Sequence, residues 1–167
     1  MKSEGLSSQT MRSNMQRRTL LTGMLAFAGT GALARDGSFE ITRTEAQWRA
    51  MLSDAEYAVL REEETETPFT SPLNDETRKG FYHCKGCDLP VYSSKHKYDS
   101  GTGWPSFWKS MPDAVGTKPD NTLFATRTEV HCSRCGSHFG HIFDDGPEPT
   151  GKRHCLNGVS LKFMTTA

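Results

Sequence analysis

From Thr44 the apolar positions fall at helical spacing. Trp48, Met51 and Leu52 share one face, and Tyr57 and Leu60 repeat the pattern further on. Each run opens on a capping box, Thr44-Glu-Ala-Gln47 and then Ser53-Asp-Ala-Glu56. The pattern predicts two short helices, ended by the acidic run Glu62-Glu63-Glu64 and by Pro68. A solvated face is the ordinary meaning of such a run. Beyond Pro68 the rhythm changes to short apolar stretches separated by Gly, Pro, Asn and Asp. Gly80–Cys84, Leu89–Tyr92, Leu123–Cys132, Ser137–Phe143 and His154–Phe163 read as strands. The fold class is therefore mainly β, a small antiparallel structure with helices at its N-terminal end.

The segment before Thr44 does not follow either period. A twin arginine (Arg17, Arg18) precedes an apolar run from Leu20, and Ala32-Leu33-Ala34 closes it. This is the order of a signal peptide, and Arg-Arg-Thr-Leu-Leu resembles a twin-arginine export signal. The apolar run is shorter than the roughly 20 residues of a membrane span. The expected organisation is an export signal over 1–34, a linker over 35–43 and one domain over 44–166, delivered to a bacterial periplasm and free of the membrane after cleavage. A non-functional signal would leave the domain in the cytoplasm, and an uncleaved anchor or an ordinary secretory signal are the alternatives. Met11 and Met15 are further candidate starts. Charge adds an exclusion. Lysine plus arginine equal aspartate plus glutamate at 20 each, so no basic excess invites nucleic acid.

Cys84-x-x-Cys87 and Cys132-x-x-Cys135 carry the strongest chemical signal. Two-residue spacing lets both thiolates of a turn reach one ion, and four such sulfurs make a closed tetrahedral zinc site. Two disulfides or a redox-active dithiol are the alternatives. Cys155 is then the odd cysteine, buried and inert or reactive. On a continuous strand Cys155, Asn157, Val159, Leu161 and Phe163 would share an inward face, with Arg153 on the same side. Thiolates, the nucleophilic form, are favoured beside a guanidinium. Two further stretches bear on the choice. Ser100–Trp108 sets Trp104 among Gly101, Gly103 and Pro105. His138 and His141 flank Phe139-Gly140, and a bulge at Gly140 would bring both imidazoles to one side.

Taken together, "TPFT", the two cysteine pairs, "KYDSGTGWPSFW", "HFGHIFDDGPEPTG" and "RHCLNGVSLKF" resemble, in order and spacing, the B-type methionine sulfoxide reductases. The resemblance runs from about Thr44 to Phe163. It implies two small antiparallel sheets with peripheral helices, clamped by one structural zinc ion on Cys84, Cys87, Cys132 and Cys135. It implies Cys155 as the nucleophile and Trp104 as the wall for the substrate's S-methyl group. His138, His141 and Asn157 would line the site, with Arg153 near the nucleophile. The implied activity is thiol-dependent reduction of the R epimer of methionine sulfoxide, in proteins or peptides, through a cysteine sulfenic acid: repair of oxidative damage. A monomer is expected. Many relatives carry a recycling cysteine where this chain has Thr102, and no sixth cysteine is present. The expected reductant is therefore an external thioredoxin-like protein or a small thiol. A zinc-clamped binding module and a thiol–disulfide oxidoreductase are the rival readings.

Overall fold

The computed structural model describes residues 39–122 and 125–166. The expected export signal lies outside the described residues, as do Leu123 and Phe124, where the third strand was expected to begin. No helix among the described residues is long and apolar enough to cross a membrane.

Both predicted helices form where their capping boxes place them. α1 spans Glu45–Met51 and α2 spans Asp54–Glu62; in each box the N-cap hydroxyl accepts from the third backbone N–H while the third side chain accepts from the N-cap N–H. α1 buries Trp48, and α2 buries Tyr57, Val59 and Leu60. Residues 35–43, read as a linker, are tied down in their described part, 39–43. The Ile41 N–H donates to the Arg134 carbonyl at 3.0 Å, and the Phe39 ring stands edge-on to His131.

Among the described residues nine strands follow: β1 Gly80–Cys84, β2 Pro90–Ser93, β3 Lys97–Tyr98, β4 Ser106–Phe107, β5 Val115–Asp120, β6 Arg127–Cys132, β7 His138–Phe143, β8 Arg153–Leu156 and β9 Leu161–Thr165. They make two antiparallel sheets, one ordered β2-β1-β9 and the other β3-β4-β8-β7-β6-β5. Tyr82, Tyr92, Phe107, Phe139 and Leu156 are fully buried in a shared core with Trp48 and Leu60. Tyr82 and Tyr92 both pack on Phe107, with ring centroids 4.9 and 4.7 Å away. Burial of each such side chain is worth about 1.5–3 kcal/mol, so this aromatic cluster is a large part of what holds the sheets together.

The C-terminal stretch departs from its sequence pattern. His154–Phe163 reads as one strand, yet the chain leaves the larger sheet after Leu156 and enters the smaller one at Leu161. A single 3-10 turn, Gly158–Ser160, makes the crossing. The Ser160 hydroxyl donates to the Asn157 carbonyl at 2.6 Å, and the Val159 N–H donates to the Glu66 carboxylate at 2.7 Å. The crossing changes which face is inward. On β8 it is His154 and Leu156 that are buried, while Cys155 is half-exposed. Cys155 therefore does not lead an apolar inward face, as an unbroken strand would require; it looks out of the sheet.

Candidate active site

Three strands set the register around Cys155. On β8 it lies opposite Ser106 of β4 on one side and His141 of β7 on the other. Directly opposed residues hold their Cβ atoms roughly 4.5–5.5 Å apart on the same face, so Cys155 and His141 are neighbours by construction. β7 is bulged. Val130 pairs with Gly140 but His131 pairs with His138, leaving Phe139 as the extra residue. Gly140 has φ +151°, and a Cβ there would sit 2.1 Å from the Cys155 carbonyl oxygen. Only glycine lets β7 approach β8 this closely. The bulge also brings the two histidine rings to one side, with centroids 5.6 Å apart.

A cavity of about 110 Å³ opens beside the sulfur, lined by Trp104, Arg127, His141, Phe143, Cys155 and Asn157 together with Thr65, Gly140 and Leu156. A larger cleft of about 600 Å³ lies elsewhere along the Trp104 loop and reaches Phe69, Asn74 and Asp99. Cys155 does not line it, so the smaller cavity is where chemistry can occur.

Each wall is braced. The Trp104 indole N–H donates to the Glu66 carbonyl at 3.0 Å. Asn157, itself buried, accepts from the Glu66 N–H at 2.9 Å and donates to the Phe139 carbonyl at 3.1 Å. Asn157 thus spends its amide on backbone and holds Glu66, β7 and its own chain in one arrangement. Burial pushes the Glu66 carboxyl up, against the hydrogen bond it accepts from the Val159 N–H at 2.7 Å. Facing the sulfur, the Thr102 hydroxyl lies 3.7 Å from Cys155 Sγ and continues through Ser100 (2.8 Å) to Ser106 (2.7 Å).

The two histidines are not equivalent. His141 lines the cavity, and its Nε2 hydrogen-bonds Asp120 at 2.7 Å. Burial lowers its pKa, and the Asp120 hydrogen bond opposes that. His138 does not line the cavity. It is 2% exposed, bonded through Nδ1 to Glu129 at 2.8 Å, and its Nε2 is buried without a partner among the described residues. Burial alone would raise the Glu129 carboxyl, but hydrogen bonds from His131 and His138 outweigh it and bring it down to about 2. Arg153 also stands off the cavity, in a two-point pair with Asp145 at 2.8 and 2.7 Å and 4.4 Å above the Phe143 ring.

The four remaining cysteines gather in one cluster. Cys84 and Cys87 sit at the β1–β2 turn, Cys132 and Cys135 at the β6–β7 turn, and their sulfurs all lie within 4.8 Å of one another. All five cysteines are free of disulfides. The closest approaches run between the two turns, Cys84 to Cys135 at 3.7 Å and Cys87 to Cys132 at 3.5 Å. Sulfurs bound to one zinc at about 2.3 Å stand about 3.8 Å apart, so this cradle fits one tetrahedral metal ion. Because Cys84 ends a strand of the small sheet and Cys132 one of the large sheet, a metal here clamps the two sheets together.

Sequence reasoning missed Asp120, Arg127, Glu66 and Glu129. Asp120 and Arg127 face each other in register on β5 and β6. Glu129 carried no legible signal, because its neighbours Arg127, Thr128 and His131 are themselves polar.

Comparison with known proteins adds the remaining observation. The SelR domain family matches residues 52–165. A curated protein of Thiobacillus denitrificans named "Peptide methionine sulfoxide reductase MsrB" is 51% identical over 122 residues, 72% of this chain and 92% of its own length. A Methanosarcina barkeri protein of the same name is 48% identical over 126 residues, 75% and 89% of the two chains. One from Leifsonia xyli subsp. xyli is 47% identical over 133 residues, 78% and 96%.

Proposed function

The chain belongs to the SelR domain family of peptide methionine sulfoxide reductases, and from that membership we propose that it reduces the R epimer of methionine sulfoxide in oxidised proteins at Cys155. The observation that carries this reading is the cavity in which the Cys155 sulfur, the Trp104 indole and the His141 imidazole meet. A sulfoxide sulfur is electrophilic, but its oxygen leaves only when protonated. The Cys155 thiolate attacks that sulfur while His141, as imidazolium, delivers a proton to the oxygen. The attack forms an S–S bond to the protonated sulfoxide. The hydroxyl oxygen then passes from the substrate sulfur to the Cys155 sulfur, so that the S–S and substrate S–O bonds break as a cysteine S–O bond forms, methionine departs, and Cys155 is left as a sulfenic acid. The substrate sulfur gains two electrons and the cysteine sulfur loses two. Trp104 offers the flat apolar wall that seats the S-methyl group and sets the configuration accepted.

Regeneration needs two thiols from outside. The first attacks the sulfenic sulfur, giving a mixed disulfide and water; the second displaces Cys155 as thiol and leaves the reductant as disulfide. With Thr102 at the mouth of the site and the other four cysteines gathered in the metal cradle, no internal thiol is free for this step. We assign zinc to that cradle, held by Cys84, Cys87, Cys132 and Cys135 in a structural role. The protein acts as a monomer. Export to the periplasm by the twin-arginine route is the reading that Arg17, Arg18 and the following apolar run support. Replacing both arginines with lysine should hold the protein in the cytoplasm.

The test is reduction of methionine-R-sulfoxide peptide with dithiothreitol. Cys155→Ser should abolish turnover with bound zinc unchanged. Full activity in that variant, or activity that follows the cysteine pairs, would overturn the assignment.

A further inference from the structure

We propose that Asp120 is the positioning residue for His141, fixing which imidazole nitrogen meets the substrate and keeping the ring charged, with Arg127 as the opposing influence. The inference rests on the assignment of His141 as proton donor and deepens it. Asp120 is the last residue of β5, two strands away from β7, and reaches over β6 to the imidazole. One carboxylate oxygen accepts from His141 Nε2–H at 2.7 Å and from Arg127 Nη2–H at 2.6 Å. The other accepts from the Thr122 N–H at 2.9 Å and its hydroxyl at 2.7 Å. Both oxygens are engaged, so the carboxylate has one orientation. These bonds, those of Thr122 foremost and then those of His141 and Arg127, hold the Asp120 carboxyl well below the usual carboxylate range. With Nε2–H committed to Asp120, Nδ1 is the nitrogen left to hand a proton to a bound sulfoxide oxygen.

The surroundings make the carboxylate necessary. Burial lowers the pKa of His141, and the Arg127 and His138 charges act in the same direction. The groups arranged about the ring are Asp120 from β5, Arg127 and Glu129 from β6, His138 on β7 itself and Cys155 from β8. Glu129 is already committed to His131 and His138. Asp120 is therefore the anion that sustains the imidazolium, and a carboxylate–histidine pair commonly moves a pKa by about 1–3 units. The acid form is present below the His141 pKa and lost above it, so whatever lowers that pKa pulls the alkaline limb of the rate profile to lower pH.

The experiment is the pH profile of single-turnover methionine release from the zinc-loaded protein, with Cys155→Ser as the control. Asp120→Asn should move the alkaline limb down by about one pH unit, and Asp120→Glu should restore most of the wild-type position. Arg127→Gln should move the limb the other way, to higher pH. A role in folding alone would scale the rate without moving the limb. An Asp120→Asn limb at the wild-type position, or an Arg127→Gln limb displaced downward, overturns the proposal, and the arginine variant decides by itself if Asp120→Asn does not fold. Methionine release that persists in Cys155→Ser would overturn the reaction assignment instead, so the two failures are distinct.

Discussion

Asn157 spends both ends of one amide on main-chain partners that are distant in sequence, the Glu66 N–H and the Phe139 carbonyl. Its value is the placement of Trp104 and Cys155 on either side of the same cavity. Asn157→Ala leaves the buried Glu66 N–H unpaired, at about 1–3 kcal/mol, while the Phe139 carbonyl keeps the backbone N–H of residue 157 at 2.7 Å. Urea unfolding should show a loss of about 1–3 kcal/mol, and the apparent affinity for substrate should weaken as the Glu66 brace under Trp104 loosens. A second residue-scale consequence belongs to His154. Burial first, and then the Lys152 charge, bring its pKa down to about 4, and its Nδ1 bonds the Tyr92 hydroxyl at 3.0 Å. The folded state holds this histidine neutral while the unfolded chain, with a pKa of about 6.5, takes up a proton. Its contribution is therefore present above pH ~6.5 and is lost as pH falls towards ~4, to a total of about 3 kcal/mol. His154→Gln should flatten the acid limb of the stability curve by that order; an unchanged limb would place the acid sensitivity in other groups. At this scale the sequence showed chemistry but not contact. Cys155, Trp104 and His141 announced themselves by type and neighbourhood, whereas Glu66 and Asp120 look like ordinary surface acids until the fold brings Asn157 and His141 to them.

The elements divide by how local their causes are. α1 and α2 were legible because a capping box is written within four residues and an apolar stripe within three turns. The β7 bulge was legible because His138-Phe-Gly-His141 concentrates the requirement in one glycine. Gly140→Ala should lower stability by about 3 kcal/mol or more and remove activity, since the added methyl meets the backbone of Cys155 and the φ is strained; a stable, active variant would show that β7 can retreat from β8. β5 was missed because Val115–Asp120 carries Lys118, Pro119 and Asp120 where a half-buried strand would alternate. It is an edge strand held by pairing with β6 on one side only, and a proline is tolerated there. The break between β8 and β9 was missed for another reason. Alternation continues unbroken through Asn157 and Val159, and the crossing is imposed by Glu66, nearly the length of the domain away in sequence. That break is what turns Cys155 from an inward position to the cavity.

For the molecule as a whole, two sheets meet over an aromatic core and are joined at one end by four sulfurs drawn from both of them. Cross-turn sulfur contacts of 3.5 and 3.7 Å leave the cradle crowded with thiols unless a metal replaces their protons. Chelation of bound zinc should lower the melting temperature by about 10 °C or more and release the metal with proton uptake by the cysteines. An unaltered melting temperature after complete metal removal would mean that the aromatic core alone joins the sheets. On the proposed reading the division of labour is one cysteine for chemistry and four for architecture, with the sulfoxide oxygen passing to the first and never to the others. Mass spectrometry after a single turnover on methionine-R-sulfoxide peptide, without reductant and with a sulfenic-acid trap present, tests this most directly. The account predicts one equivalent of methionine, the trap on Cys155 alone, and Cys84, Cys87, Cys132 and Cys135 unmodified with zinc retained; a disulfide between Cys155 and any of those four, or the trap on one of them with Cys155 untouched, would contradict it.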